Sequence, residues 1–237
     1  MEQFEIKTIR PFELFGYDAS FTNSSLFMVI VVGLVSSFLI LAMGRRNLVP
    51  GRMQSMAELI YEYVANIVRE NCGQEGMKYF PWVFSIFIFV LGCNMIGMIP
   101  GTFTVTSHII VTFALAAMVW ITVTVIGFAK HGVGYLKMFA PAGVPWPLLL
   151  IIVPIELISY LIRPVSHSVR LFANMMAGHT LLKVFAGFVV SLGAFGVAPL
   201  IAMVAFTGLE LLVAFLQALI FTFLTCIYLN DALHMHH

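Results

Sequence analysis

Apolar residues dominate the chain in runs long enough to cross a bilayer, and the polar residues between them set its organisation. Residues 1–23 carry Glu2, Glu5, Glu13 and Asp18 against Lys7 and Arg10 and read as a short extramembrane arm. Residues 24–43 then form an uninterrupted apolar run of about 20 residues, the length of a transmembrane helix. Residues 53–71 differ in kind. Met56, Leu59, Ile60, Tyr63, Val64, Ile67 and Val68 recur at helical spacing, while Gln54, Glu58, Glu62, Asn66, Arg69 and Glu70 take the other face. That pattern predicts an amphipathic helix on the inner membrane surface rather than a span. Residues 72–78 turn the chain back, and spans follow at 79–99, closing at Pro100-Gly101, and at 104–128.

After a connector with Pro141, Pro145 and Pro147, the chain stays mainly apolar over 146–188. As one helix this segment is about 60 Å long, against a hydrocarbon layer about 30 Å thick. Either it breaks into two spans near Arg163-Pro164, or it is one helix lying strongly tilted. A break there leaves only about 17 residues for the first span, so the tilted helix is expected, with Pro154 and Pro164 as bends that local contacts repair. Residues 191–199, SLGAFGVAP, read as a turn, and 198–230 as a second long tilted helix. The expectation is one all-α membrane domain with perpendicular spans, an inner-surface amphipathic helix and a long tilted two-helix hairpin.

The loops give an orientation. Arg45, Arg46 and Arg52 follow the first span and Lys130, His131 and Lys137 follow the third, whereas the loop PGTFTVTSH carries no Lys or Arg. By the positive-inside rule the basic loops and the C-terminus lie inside and the N-terminal arm outside. No basic leader runs into an apolar core at the start, so the first run is expected to be an uncleaved span.

Composition agrees with this class. Of 237 residues, 61% are hydrophobic and 10% charged, and mean hydropathy is +1.01; a soluble domain averages about 25% charged. A net charge of +1 argues for no polyanionic partner, and no basic cluster interleaved with aromatics points to nucleic acid, while the apolar composition implies membrane lipid as the surroundings. Cys72, Cys93 and Cys226 show no metal or disulfide spacing and are expected to be free and buried. HExxH, GxSxG, P-loop and phosphate-cradling glycine patterns are missing, and neither Gly178-His179 nor the terminal His234-Met235-His236-His237 has metal-site spacing.

The polar residues inside the long helices hold the candidate chemistry. With Glu156 as the origin of an ideal helical wheel, Arg163 falls at about −20°, His167 at about +20°, Arg170 at about −40° and Asn174 at about 0°. These residues share one stripe, while His179 and Lys183, at about 140° and about 180°, form a second polar site away from it. A charge at the bilayer centre costs about 2.5 to 3.5 kcal/mol, so the stripe must meet protein or water. Arg170 stays protonated and acts as a fixed charge. Arg163 and Lys183 have the alternative of snorkelling to headgroups. Glu156 and Glu210 are costly in apolar helices unless they titrate or sit in water. The turn between the long helices pairs them antiparallel, so that His179 and Glu210 form a proton-relay pair if they come within reach. His167 reads equally as a packing residue or a relay member, and Asn174 and Gln217 as interhelical hydrogen bonds or as the lining of a polar path. A solute transporter would need broken-helix binding sites and usually a repeated half, and no repeat is visible. An intramembrane enzyme would show a nucleophile or metal dyad, and none is found.

PVSHSVRLFANMMAGH at 164–179 resembles the signature of the F-type ATP synthase a-subunit family, the stator half of the proton channel. NMIGMIPGTFTVTSH at 94–108 and ELLVAFLQALIFTFLTCIYL at 210–229 resemble further segments of that family, so the likeness covers nearly the whole chain from the first span on. Its style is that of bacterial forms near the mitochondrial type. The resemblance implies that the two long helices pack along a ring of c subunits, with Arg170 facing the rotor carboxylate and Asn174 and Gln217 beside it. It implies that His179 and Glu210 line an outer half-channel and Glu156 an inner one. In some bacterial members the acid and the histidine occupy these two positions the other way round. It further implies peripheral-stalk b subunits and the rest of the synthase as partners, no cofactor, no catalytic step of the chain's own, and a bacterial inner membrane rather than a mitochondrial one.

Overall fold

The computed structural model describes residues 8–11, 13–14, 17–18, 20–44, 51–99, 102–139 and 145–234. Glu2, Glu5, Lys7, Arg45, Arg46, Pro100-Gly101, Pro141 and the last three histidine-tail residues, features used above, lie outside the described residues. The N-terminal arm adds two short antiparallel ribbons, β1 (Thr8–Arg10) with β4 (Phe21–Thr22) and β2 (Glu13–Leu14) with β3 (Tyr17–Asp18). Among the described residues, everything after it is helical or connects helices.

Helix α1 (Asn23–Met43) begins where extended Thr22 accepts a hydrogen bond from the Ser25 amide at 3.4 Å, capping a donor the first turn leaves open. Helix α2 (Arg52–Gly76) runs through the stretch expected as a turn. The reversal is a kink inside it at Gly73, where φ is 63° and ψ −162°; only a residue without Cβ adopts that backbone cheaply. A 3-10 turn, Met77–Tyr79, leads into α3 (Phe80–Gly97), with Pro81 in the first turn, where a missing N–H costs nothing.

Helix α4 (Ile109–His131) begins later than the span expected from 104. Thr104 instead leads into a buried 3-10 turn, Val105–Ser107, in which the Ser107 amide and Oγ both donate to the Thr104 carbonyl, at 3.2 and 2.7 Å. Short hydroxyl side chains compete for backbone groups in this way and disfavour a regular α-helix.

A 3-10 segment, Gly132–Phe139, follows α4. Helix α5 (Trp146–Ser191) is one element of 46 residues with Pro154 and Pro164 inside it, and α6 (Val197–Leu233) has 37. At 1.5 Å per residue they are about 69 and about 55 Å long. Both exceed a bilayer core about 30 Å thick. Among the described residues, five helical stretches are long and apolar enough to cross a membrane.

Helix α6 is the centre of the bundle and packs on α2, α3, α4 and α5. The core joins Val64 and Val68 of α2, Val83 and Phe87 of α3, Val123 of α4, Leu171 of α5, and Phe221 and Leu229 of α6. The apolar face of α2 is therefore divided. Val64 and Val68 enter the core, while Met56, Leu59 and Tyr63 stay exposed along its other edge. Cys72, Cys93 and Cys226 are free and buried. Cys72 and Cys226, far apart in sequence, meet where the Cys72 Sγ–H donates to the Cys226 carbonyl at 3.1 Å and closes α2 on α6.

Candidate functional site

Helix α5 turns one face to the bundle. Tyr160, Pro164, His167, Ser168, Leu171, Met175 and His179 recur at three and four residues and are buried. Glu156, Arg170 and Asn174 are exposed on the other side. The stripe expected from the ideal wheel is thus split. His167 belongs to the buried arc, with its ring centroid 3.7 Å from that of Phe221. The arc begins about 20° from Glu156, so His167 sits at its edge and α6 covers it. His179, expected on a separate polar side, closes the other edge of the same arc.

Arg163 is half-buried. It donates through Nη1 to Asp231 Oδ2 at 3.0 Å and lies 5.5 Å from the Tyr160 ring centroid and 5.0 Å from that of Tyr228. A guanidinium over aromatic faces gains from the ring quadrupoles as well as from the carboxylate.

Arg170 is different. It is exposed, forms no hydrogen bond or ion pair with a described residue, and has Ser166, His167, Ala173 and Asn174, three and four residues away, as its neighbours on the helix surface. One turn along, Asn174 Nδ2 donates to Gln217 Oε1 at 2.7 Å. Gln217 is itself buried, and its Nε2 finds no acceptor among the described residues. The pair bridges the exposed stripe of α5 to the interior of α6.

The second group is buried between α5, α6 and the loop after α3. His179 Nε2 lies 2.8 Å from the Gly97 carbonyl and 3.1 Å from Thr104 Oγ1, and Nδ1 meets Glu210 Oε1. A carbonyl can only accept, so Nε2 carries a hydrogen. The Nδ1–Oε1 contact then holds one proton that can sit on either partner, as imidazolium with carboxylate or as neutral imidazole with carboxylic acid. Glu210 Oε2 has no partner among the described residues. His179, Lys183, Met203, Thr207 and Glu210 line a cavity of about 300 Å³ that continues past Met98 and Ile99 at the end of α3. In the orientation read from the loops this is the outer end. Gly178 makes the approach possible: a Cβ there would lie 2.6 Å from Glu210 Oε1.

The structure thus brings together Asn174 with Gln217 and His179 with Glu210, presents Arg170 and Glu156 on a common exposed face, and sets His167 apart in the core. Gly97, Thr104 and Asp231 were not singled out from sequence, and Gly178 was weighed only beside His179 for metal-site spacing. Gly178, directly before a buried histidine in an apolar helix, carried a readable signal of close packing; a threonine or a carbonyl from a distant loop did not. Among the described residues no group of three or more His, Cys, Asp or Glu is disposed to hold a metal.

Comparison with known proteins gives one consistent result. The sequence model described as ATP synthase A chain matches residues 25–230. The chain is 59% identical over 244 residues to a Chelativorans sp. protein named ATP synthase subunit a, covering 100% of this chain and 98% of that one. It is 59% identical to the Mesorhizobium japonicum protein of the same name, over 100% and 97% of the two chains. A Maricaulis maris protein, also so named, is 55% identical over 252 residues, 100% and 98% of the two chains.

Proposed function

The chain belongs to the ATP synthase A chain family, and on that premise we propose how this proton-translocating stator subunit of an F-type ATP synthase carries protons. The observation that carries the proposal is Arg170, an exposed cation with no ion-pair partner among the described residues, on a long helix of a multi-pass membrane protein. Lipid cannot cover that charge at acceptable cost. A partner bearing a carboxylate can, and a ring of c subunits with one acidic group per subunit has that chemistry.

The mechanism follows from charge and geometry. A rotor carboxylate must be protonated to face lipid; beside Arg170 its charged form is favoured, so its proton is released there. Because a guanidinium does not give up its own proton, Arg170 also interrupts proton passage between the two sides of the stripe. The His179–Glu210 pair, reached through the cavity of about 300 Å³, serves as the outer half-channel. Its shared proton can move on to Glu210 without disturbing the Nε2–H held by Gly97. Glu156, exposed two helical turns before Arg163, serves the inner half-channel. Asn174 and Gln217 keep the surroundings of Arg170 polar, and His167 is a packing residue beneath it. A proton falling through 100 mV releases about 2.3 kcal/mol, which is recovered only when flow must pass by way of ring rotation. The chain needs no cofactor for this, and ATP chemistry belongs to other subunits. The c ring, the b subunits of the peripheral stalk and a bacterial inner membrane complete the proposal. An alternating-access transporter is not favoured, since α5 and α6 run unbroken past the polar residues.

The test is Arg170→Lys in the assembled synthase. A point charge on a different stem does not reproduce the planar guanidinium. ATP-driven proton pumping in inverted membrane vesicles is expected to be abolished with the complex still assembled; normal pumping would overturn the assignment.

A further inference from the structure

Helix α5 carries two arginines on almost the same line. Arg163 and Arg170 are seven residues apart, about 10.5 Å along the axis and about 20° around it. Helix α6 carries no Lys or Arg at all. If the face around Arg170 meets rotor carboxylates, a strongly tilted α5 lays both arginines across their path, and a carboxylate would meet one after the other. The structure treats the two cations in opposite ways. Arg170 has no described partner, whereas Arg163 is bound to Asp231 at 3.0 Å from the last turn of α6 and flanked by Tyr160 and Tyr228. Side-chain exposures of 27% for Arg163 and 31% for Asp231 show that the pair is not sealed inside the bundle. What removes Arg163 from competition is charge, not burial.

We infer that Asp231 masks Arg163, so that Arg170 is the single unpaired cation of this stripe and the rotor has one deprotonating station instead of two. The inference rests on the reading of Arg170 given above. A second free guanidinium would favour the charged form of a carboxylate that should already have been reprotonated, holding it at the stator and slowing the ring. Asp231 is suited to prevent this because it is tethered within reach, whereas a rotor carboxylate only passes by. The aromatic rings on Arg163 limit the directions in which its guanidinium can turn toward a competitor.

The competing view is that the pair is only a clamp between the ends of α5 and α6. Charge and clamp are separated by three variants in the whole synthase, Asp231→Asn, Arg163→Gln and the two combined, with assembled complex quantified and ATP-driven pumping measured in inverted vesicles. Masking predicts that Asp231→Asn assembles but pumps about tenfold more slowly, equivalent to one misplaced charge raising a barrier by about 1.4 kcal/mol. It predicts that the combined variant, which has no ion pair left, recovers close to wild-type pumping, as does Arg163→Gln alone. A clamp predicts the reverse, with the combined variant no better than Asp231→Asn. That result, or wild-type pumping by Asp231→Asn, or loss of the assembled complex in both Asp231 variants, would overturn the inference. Failure of the underlying reading is seen separately, as normal pumping by Arg170→Lys.

Discussion

Gly178→Ala perturbs the His179–Glu210 pair without touching either residue. A Cβ at this position would lie 2.6 Å from Glu210 Oε1, 2.8 Å from its Cδ and 3.0 Å from its Cγ, where ordinary contact begins at 3.4 Å. The carboxylate must therefore retreat by about 0.8 Å, or the two helices must separate by a similar amount; overpacking of this kind costs about 1–3 kcal/mol. Because Cγ is crowded as well as Oε1, relief has to start at the Cα–Cβ bond, which swings the whole carboxylate, and the contact with His179 Nδ1 is lengthened or lost. Misplacement of a reacting group by about 1 Å can cost about a hundredfold in rate. The expected result is a fall of ten- to a hundredfold, roughly, in passive proton conduction through vesicles stripped of the catalytic head, with the membrane sector still assembled. Gly187→Ala, on the same helix with nothing within 4 Å of its new Cβ, is the control and is expected to conduct normally. Glu210→Asp added to Gly178→Ala shortens the acid and should restore part of the conduction. Wild-type conduction by Gly178→Ala would refute the reasoning, as would equal losses from both alanine variants.

Two further outcomes are expected. Glu210→Gln keeps the shape of the side chain but removes its titration, so it should slow proton uptake while leaving the amount of assembled complex unchanged; loss of assembly would make Glu210 a structural residue instead. The exposed Glu75–Lys130 pair joins α2 to α4, and the hydrogen bond and charge of Lys130 hold the Glu75 carboxyl below its ordinary 4.5. Its contribution to stability is complete above that value and is lost as pH falls through the depressed one. Thermal unfolding of the detergent-solubilised complex should show a small, salt-sensitive difference between wild type and Glu75→Gln that vanishes on acidification; a difference that grows toward acid pH would contradict this.

Much of this organisation is legible in the sequence, because hydropathy and helical period act locally. The lengths of the apolar runs give the helices, and the surplus of apolar residues over 146–188 gives a single long helix, since a break at Arg163-Pro164 would leave too short a first span. The same period places Arg170 and Asn174 on one face, and the structure exposes them together. What the period cannot supply is the width and centre of the buried arc. Arg163 and His167 are about 40° apart on the wheel, and only the position of α6 decides that one is half-buried and the other enclosed. The segment at 104–108 reads as the start of a helix, but Val105–Ser107 closes as a 3-10 turn with Ser107 Oγ donating to the Thr104 carbonyl, and α4 starts later. Partners drawn from far along the chain are also invisible: Asp231 for Arg163, and Gly97 and Thr104 for His179, depend on how three helices converge rather than on any spacing.

The central claim, that the face bearing Arg170 meets the rotor, is tested most directly by cysteine cross-linking in native membranes. Asn174→Cys places a thiol on the exposed stripe, Met175→Cys places one on the buried arc, and each is oxidised against a cysteine beside the lipid-facing carboxylate of the c subunit. A cross-linked product of the a and c subunits is expected for Asn174→Cys and none for Met175→Cys, with loss of ATP-driven pumping when the product forms. Absence of any product, with the Asn174→Cys thiol instead modified by small polar reagents from both sides of the membrane, would contradict it.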